Sequence, residues 1–372
     1  MNRSSSAKHR LLLSPAALAG SLQKHQRYVR RQSGGMRAFL RFAELPGQVL
    51  TARILDEIDL TGANLRQANL RQASAANASF FAADLSGADL TLIRAPRADF
   101  RGAVLSGARL NSAVLDGADM RRAVLATAHE GFQLVRPNGA GASLNGTDLS
   151  EAEAGKVDFS ICSLKGARLR GTNLRGAVFA DAIMTGADLA GAQLGGATFH
   201  GAVLTGIDVS KLGLPAESLA GCLLDPGPDA IATRDEMLRM FDLAERWALT
   251  NGREGQPANL DGRDLRVLAG CLNGRTLPAL SVRGAIAVGV SFEGSQLQGA
   301  MFDTADMRDA NFTDADLRSA TFRTTRLAYA DLDTANLAPL PLAGGLSKPV
   351  DFGEADLLNV RRFRKPPVKT AA

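Results

Sequence analysis

The side chains that could perform acid–base or nucleophilic chemistry are few in this 372-residue chain, and their spacing matches no catalytic motif. His129 is followed by a glutamate, but the second histidine of a zinc-protease helix, four positions after the first, is missing. The sequence contains neither a GxxxxGK phosphate loop nor a GxSxG nucleophile elbow. Scattered imidazoles are typical of solvated surface residues, and we expect that environment for His9, His25, His129 and His200.

We therefore predict that the protein is not an enzyme and that it holds no metal and no cofactor. Its three cysteines, Cys162, Cys222 and Cys271, form no CxxC pair and are odd in number, which argues against a disulfide framework or a zinc knuckle. A reduced, cytoplasmic environment fits this pattern. A catalytic pocket in a loop or at a junction between segments is the alternative, and the sequence does not indicate one.

The first twenty residues allow two interpretations. A basic lead, a short apolar run and the triplet Ala17-Leu18-Ala19 resemble a weak signal peptide. Ser14 and Pro15 interrupt that run, and these residue types are favoured as the N-cap and first residue of a helix. We favour the helix and a cytoplasmic protein. No run of roughly 18 apolar residues, the length of a transmembrane helix, is present.

Positive charge is concentrated at the two ends of the sequence. Residues 1–43 carry nine Lys or Arg and no acid, and five more bases follow Asp356, so the segment between them has a net charge of about −9. Basic ends of this kind could contact nucleic acid weakly, acidic lipid or an acidic protein, or could be solvated tails. The candidate residues are the helix from Lys24 to Arg31 and a C-terminal tail that contains Arg361, Arg362, Arg364 and Lys365.

The elements that must position these side chains follow a period of five residues. From Leu40 to Leu125 we count 18 units, in which sixteen central residues are Leu, Phe or Met and fourteen of the residues two before them are Ala. A helix would rotate successive centres by about 140°, and a flat strand would turn every second small residue outward. A bend after each centre, where glycine is frequent, keeps both the central residue and the small residue two before it on the inside. A chain of short extended pieces joined by such bends must coil. The pattern returns from Leu144 to Val209 and from Phe292 to Leu337.

Units such as Ala63-Asn64-Leu65, Ala83-Asp84-Leu85 and Ala187-Asp188-Leu189 resemble the pentapeptide-repeat family over roughly three quarters of the chain. The resemblance implies an all-β fold, a right-handed quadrilateral β-helix with four units in each coil. Residues 20 apart would then stack on one face.

Several positions depart from the regular pattern. Gln48 and Arg53 occupy nominally inward positions, so we expect an irregular or open first coil. The 19-residue step from Leu125 to Leu144 predicts a loop, interpreted as a surface excursion or a binding loop. After Leu265 the period shifts by two residues.

Residues 229–250 have helical spacing. They are followed by glycines and then by the repeat unit Ala258-Asn259-Leu260. In the same way, residues 27–28 are followed by glycines and then by Ala38-Phe39-Leu40. An amphipathic helix would cover the open end of each solenoid, which suggests two halves that divide near residue 224. The predicted segments are a basic helical cap (1–37), a first repeat segment (38–128), a loop (129–141), a second repeat segment (142–210), a linker with an amphipathic helix (211–255), a third repeat segment (256–339), and two further repeat-like units with a basic tail (340–372).

Outward aspartates such as Asp59, Asp99 and Asp119 recur every 20 residues and should share a face, with arginines near them. An acidic ladder could bind a basic partner, or could be a solvated face with weak local ion pairs. Isolated outward apolar residues are further contact points. Besides the basic tail, the candidate partner contacts are therefore Phe81, Leu92, Asp99, Asp119, Arg121 and Arg122.

The leading functional hypothesis is a non-enzymatic, bacterial and cytoplasmic scaffold or adaptor that presents its faces to a protein partner. The family resemblance adds an accessory of a bacterial secretion system as one placement, and a homodimer as one assembly. The alternative is a DNA mimic that modulates or protects gyrase. The acidic middle permits this alternative, whereas the basic ends and the interrupting helix argue against it.

Overall fold

The computed structural model describes residues 10–126, 141–342 and 345–361. The chain divides into two compact units, Met1–Asp225 (unit 1) and Pro226–Ala372 (unit 2). Five residues singled out above lie outside the described ranges: His9, His129, Arg362, Arg364 and Lys365.

Each five-residue repeat consists of a short extended piece followed by a two-residue turn, and the extended pieces stack in parallel. Asn64, for example, pairs with Asp84, and the Leu65 N–H donates to the Asp84 carbonyl at 2.7 Å. Because the paired residues are 20 apart, four repeats complete one coil. The ladder satisfies the backbone groups that a bent chain would otherwise leave unpaired. Both units are therefore solenoids of the β-helix type.

The core of each unit is the inside of its own coils. The central residues and the small residues two before them are buried, as at Ala63 and Leu65, which are both 0 % exposed. Phenylalanines on successive coils stack their rings, with 4.8 Å between the ring centres of Phe80 and Phe100. Burial of a Leu or Phe side chain stabilises the fold by about 1.5–3 kcal/mol, so the repeated centres supply most of the favourable free energy of folding.

The second residue of each turn adopts a left-handed conformation whether or not it is glycine. Gly62 has a φ of 65°, and Leu92 and Arg122 have φ values of 60° and 58°. A side chain in this conformation costs roughly 1–2 kcal/mol. The frequent glycine in the sequence pattern reflects this geometry, and the packed core outweighs the strain wherever another residue stands there.

Two insertions enlarge a coil without disturbing the ladder. In unit 1 the paired residues become 29 apart, as for Asp119 and Asp148, so the chain leaves near the predicted loop and rejoins the same stack. Residues 127–140 of that loop lie outside the described ranges. In unit 2 the separation becomes 30, from Thr321 to Asp351, because an antiparallel hairpin of β1 (Leu340–Pro341) and β2 (Ser347–Lys348) is inserted.

The predicted two-residue shift in unit 2 is confirmed. Asn259 pairs with Ser281, 22 residues on, and a 3₁₀ turn at Leu265–Leu268 takes up the two extra residues. The second run of repeats ends one centre earlier than its period indicates, because Val209 begins a 3₁₀ turn, Val209–Leu212, which is followed by another at Ala216–Leu219.

Each unit begins with helical structure. Helix α1 (Pro15–Val29) is capped by the Ser14 hydroxyl, which accepts from the Ala17 N–H, and it buries Leu18, Leu22 and His25. Unit 2 begins with α2 (Pro228–Ala232) and α3 (Arg234–Leu249), and α3 buries Met237, Phe241 and Ala244. None of the helices in the described part of the chain is long and apolar enough to span a membrane.

The first coil is regular in its backbone, which corrects the expectation of an irregular one. Asn69 donates to the Gln48 carbonyl and Ser74 donates to the Arg53 carbonyl, both at 2.9 Å. The Arg53 side chain is exposed and that of Gln48 is partly exposed. No coil precedes them, so these polar side chains reach solvent and cost no buried hydrogen bond.

Candidate interaction surface

One face of unit 1 brings four of the ten predicted contact residues together, Phe81, Asp99, Asp119 and Arg121. Its ladder pairs Asp59, Ser79, Asp99, Asp119, Asp148, Arg168 and Asp188 in succession. We call this surface the ladder face, and it also includes the large side chains at the first turn position after these rungs: Phe81, Arg101, Arg121 and Arg170. These side chains share a face because the residues directly before and after an inward centre both point outward.

Arginine guanidinium groups bind the aspartates of the ladder face in pairs. Arg101 donates to both carboxylate oxygens of Asp99, at 2.9 and 2.7 Å, and lies 3.6 Å from Asp119. Arg121 donates in the same way to Asp119, at 2.9 and 2.6 Å. The Arg101 guanidinium also lies over the Phe81 ring, 5.3 Å from its centre. The predicted acidic ladder is therefore neutralised by arginines on the same face.

The ion pairs keep the Asp119 carboxylate charged. Partial burial favours the neutral form of Asp119, but hydrogen bonds from the Arg121 side chain and backbone and the charges of Arg121 and Arg101 outweigh it, so the pKa of Asp119 lies below its ordinary value. The hydrogen bond to Asp119 raises the pKa of Arg121. Because the arginines are about half exposed, each pair contributes little to stability. Their main effect is to hold charged groups in a fixed row.

The remaining predicted contacts lie elsewhere. Arg122 occupies the corner after the ladder face and pairs with Glu151 at 2.7 Å. Leu92 is 38 % exposed at the corner of a different face. Arg361 is in the last described rung of unit 2, where its N–H donates to the Ala330 carbonyl at 2.8 Å. It is therefore part of the solenoid and not of a free tail.

The aspartate before each centre has a local structural role that the sequence analysis missed. Asp99 and Asp119 accept the backbone N–H two residues on, from Arg101 and Arg121, at 3.0 and 3.2 Å. This bond closes the turn that follows, in the manner of an Asx turn. The recurrence of Asp or Asn three residues before the left-handed position was the available signal.

The environments of the histidines and of Cys162 differ. His200 is exposed, as expected, whereas His25 is 0 % exposed beneath α1, which contradicts the predicted surface position. Its Nδ1 accepts the Ala38 N–H, whereas its Nε2 is buried without a hydrogen-bond partner among the described residues. The prediction that Cys162 fills the core is confirmed, and burial raises the pKa of its thiol to about 12. Within the described ranges, no group of three His, Cys, Asp or Glu side chains could hold a metal ion.

Unit 2 has a groove of about 570 Å³ between its own coils and the end of the β1–β2 hairpin. Its charged lining residues are Arg283, Asp303, Arg323, Lys348 and Asp351. Arg323 is already paired with Asp351 at 2.6 Å. The lining contains no histidine or cysteine.

Comparison with known proteins places these features in a family. The family model for pentapeptide repeats matches residues 54–93, 97–128, 162–208, 281–314 and 305–338, in eight copies. No curated protein sequence matches the chain.

Several solved structures are similar to the chain. One is QnrB1, a plasmid-mediated fluoroquinolone resistance protein, at 17% identity over 54% of this chain and 97% of that chain, with a TM-score of 0.45. Another is HetL, a pentapeptide repeat protein involved in heterocyst differentiation regulation from the cyanobacterium Nostoc sp. strain PCC 7120, at 21% identity over 81% and 87%, with a TM-score of 0.19. A pentapeptide repeat protein from the Arabidopsis thaliana thylakoid lumen matches at 32% identity over 29% and 66%, with a TM-score of 0.16. With its five-residue units, coils of four units and matching family model, the chain belongs to the pentapeptide-repeat family.

Proposed function

We propose that this protein is a non-enzymatic scaffold that binds a protein partner through the ladder face of unit 1. The row of paired Arg and Asp side chains beside the exposed Phe81 is the observation that carries the proposal. Arginine and aromatic residues are enriched at the centres of protein interfaces. Each arginine here is already held by its aspartate, so binding would cost little side-chain entropy.

The charge pattern of the ladder face defines the kind of partner. Acidic groups such as Asp99 and Asp119 stack on successive coils about 4.8 Å apart, and the arginines that pair with them, Arg101 and Arg121, stack in the adjacent row, so a complementary surface must carry charges of both signs. A strongly basic or strongly acidic partner would meet like charge along one of these two rows. We therefore propose a folded protein with a mixed-charge surface around an apolar contact for Phe81.

Affinity capture from native extract tests this proposal with three forms of the protein. The test variant is Phe81→Ala/Arg101→Ala on the ladder face. The matched control is Leu92→Ala/Arg66→Ala, because Leu92 and Arg66 lie on other faces and Arg66 is likewise paired with an aspartate, Asp84, at 3.1 Å. The wild type and the control should retain a stoichiometric protein that the test variant loses. Equal capture by both variants, or no stoichiometric protein with the wild type, would contradict the proposal.

Gyrase modulation is the alternative, and the neutralised ladder face counts against it. A protein that occupies a DNA-binding groove needs uncompensated negative charge, whereas Asp99 and Asp119 are paired with arginines. A supercoiling assay tests the alternative directly. Inhibition of gyrase, or protection of gyrase from a quinolone, at stoichiometric protein would favour it over the scaffold.

Several finer features stay proposals. We propose a right-handed coil, and two halves that each consist of a capping helix and a solenoid. In support, both halves pack a glycine against a helix backbone: an added Cβ would lie 2.4 Å from the Tyr28 nitrogen at Gly35, and 2.1 Å from the Leu243 oxygen at Gly255. We also propose placement as an accessory of a bacterial secretion system, which neighbouring genes for such a system would support. Cell fractionation tests the proposed cytoplasmic location, and light scattering tests the proposed homodimer.

A further inference from the structure

The N-terminal end of unit 1 carries a basic and apolar surface that meets the ladder face only at Phe39, which pairs with Asp59. Four bases lie on or directly after α1, and three apolar side chains lie on the segments that flank it. We call this surface the cap patch, and its members are Leu12, Lys24, Arg27, Arg30, Arg31, Met36 and Phe39. The proposal built on it is independent of the scaffold proposal.

The bases of the cap patch point away from the solenoid. Leu18 and Leu22 pack into the core of unit 1, and helical spacing places Lys24 and Arg27 on the opposite side of α1. All four bases are exposed. Residues 1–43 contain no acid, and the first coil brings the Glu57 carboxylate to α1, where it accepts from the Tyr28 hydroxyl at 2.9 Å. Arg53, exposed on the first coil, adds positive charge at the same end.

Apolar side chains accompany these bases. Leu12 is 81 % exposed, Met36 63 % and Phe39 58 %, whereas most large apolar residues of unit 1 are buried. The Met36 N–H donates to the Lys24 carbonyl at 3.0 Å, which places Met36 beside the helix. The Phe39 ring lies 5.2 Å from the guanidinium of Arg37. Met36 and Phe39 therefore each lie beside a basic residue at this end.

The backbone on both sides of α1 is fixed to the first coil. Leu11 donates to the Phe42 carbonyl at 2.9 Å and accepts from the Glu44 N–H at 3.0 Å. On the other side, the chain returns so closely that a Cβ on Gly35 would lie 2.4 Å from the Tyr28 nitrogen. The cap patch is thus held in place before any ligand binds, which lowers the entropy cost of binding.

We propose that the cap patch binds the surface of an anionic lipid bilayer, with the bases at the headgroups and Leu12, Met36 and Phe39 inserted below them. Stable peripheral binding needs two signals, and this surface supplies both a basic cluster and apolar anchors. A nucleic acid would use the bases but would leave Leu12 and Met36 exposed to water. The apolar members therefore favour lipid.

Cosedimentation of the full-length protein with vesicles tests the proposal. Vesicles of phosphatidylcholine with an equal part of phosphatidylglycerol should bind the protein, and vesicles of phosphatidylcholine alone should not. Each base contributes about a fivefold change in affinity near such a surface, so Arg27→Gln/Arg30→Gln should bind about thirtyfold more weakly. Leu12→Ser/Met36→Ser should bind about tenfold more weakly on the same vesicles, because the apolar anchors are lost.

The matched control is Arg239→Gln/Arg246→Gln, which removes two exposed bases from α3 of unit 2 and should leave vesicle binding unchanged. Equal loss in this control would mean that net charge alone drives binding, and would overturn the assignment to the cap patch. So would binding to duplex DNA without binding to the anionic vesicles. Circular dichroism of each variant separates loss of binding from loss of fold.

Discussion

His25 should make the stability of the N-terminal cap depend on pH. The ring is fully buried and its Nδ1 accepts the Ala38 N–H at 3.1 Å, so Nδ1 carries no proton and the ring is neutral. Desolvation lowers the pKa of His25 below its ordinary value of 6.5; Asp56 and Glu57 oppose this shift, and Arg37 adds to it. Protonation of Nδ1 would place its N–H against the Ala38 N–H. The hydrogen bond between His25 of α1 and Ala38 of the first coil would then break.

The direction of the effect follows from linkage. In the unfolded chain His25 binds a proton near pH 6.5, whereas in the folded chain it does so only at lower pH. The contribution of His25 to stability is therefore complete above about pH 6.5 and is lost as the pH falls from there to the folded pKa. One proton sets the limit, so the free energy of unfolding should fall by at most about 1.4 kcal/mol per pH unit.

Hydrogen exchange of the α1 amides measures this loss locally. His25→Gln is the comparison, because an amide oxygen can accept the Ala38 N–H without titrating. After correction for intrinsic exchange rates, the protection of α1 in the wild type should decline relative to the variant between about pH 7 and pH 5. The same pH dependence in both proteins, or a His25 resonance that titrates at or above pH 6.5, would refute the reasoning.

Three further outcomes are expected. Gly255→Ala should destabilise unit 2 by about 2 kcal/mol or more in urea denaturation, because φ is +80° and the new Cβ would lie 2.1 Å from the Leu243 carbonyl oxygen. An unchanged urea midpoint of unfolding would contradict this prediction. Phe312→Ala should cost about 3–5 kcal/mol in the same experiment, since the ring is fully buried and stacks on Phe292, and a loss below about 1 kcal/mol would mean that the core collapses around the gap. Cys162 should resist alkylation in the folded protein and react only after unfolding, because burial raises its pKa to about 12; mass spectrometry that finds rapid labelling of Cys162 under native conditions would show that the core opens.

The fold could be predicted from the sequence because its information is local and repeated. One unit such as Ala63-Asn64-Leu65 indicates which side chains face inward. A single unit would be ambiguous, but the same pattern in 18 units makes the assignment of inward side chains clear. The two-residue shift after Leu265 could be predicted for the same reason. The regular first coil could not, since the inward Arg53 escapes to solvent only because no coil precedes it.

The surface was harder to predict than the core. Periodicity placed Asp99 and Asp119 on one face but did not show that Arg101 and Arg121 fold back onto them, because side-chain pairing depends on turn geometry and rotamers. His25 was misjudged for a related reason. Its burial depends on α1 lying across the end of the solenoid, a contact between segments that follow different periods.

The two insertions have a consequence for engineering. On either side of residues 127–140 and of the β1–β2 hairpin, the ladder continues with the same stacking partners that an uninterrupted coil would have. The stacking of the coils therefore does not depend on the length of the chain that is inserted between two paired residues. Either corner is a natural point for grafting a foreign epitope or binding loop, which would be displayed beside a platform that already folds.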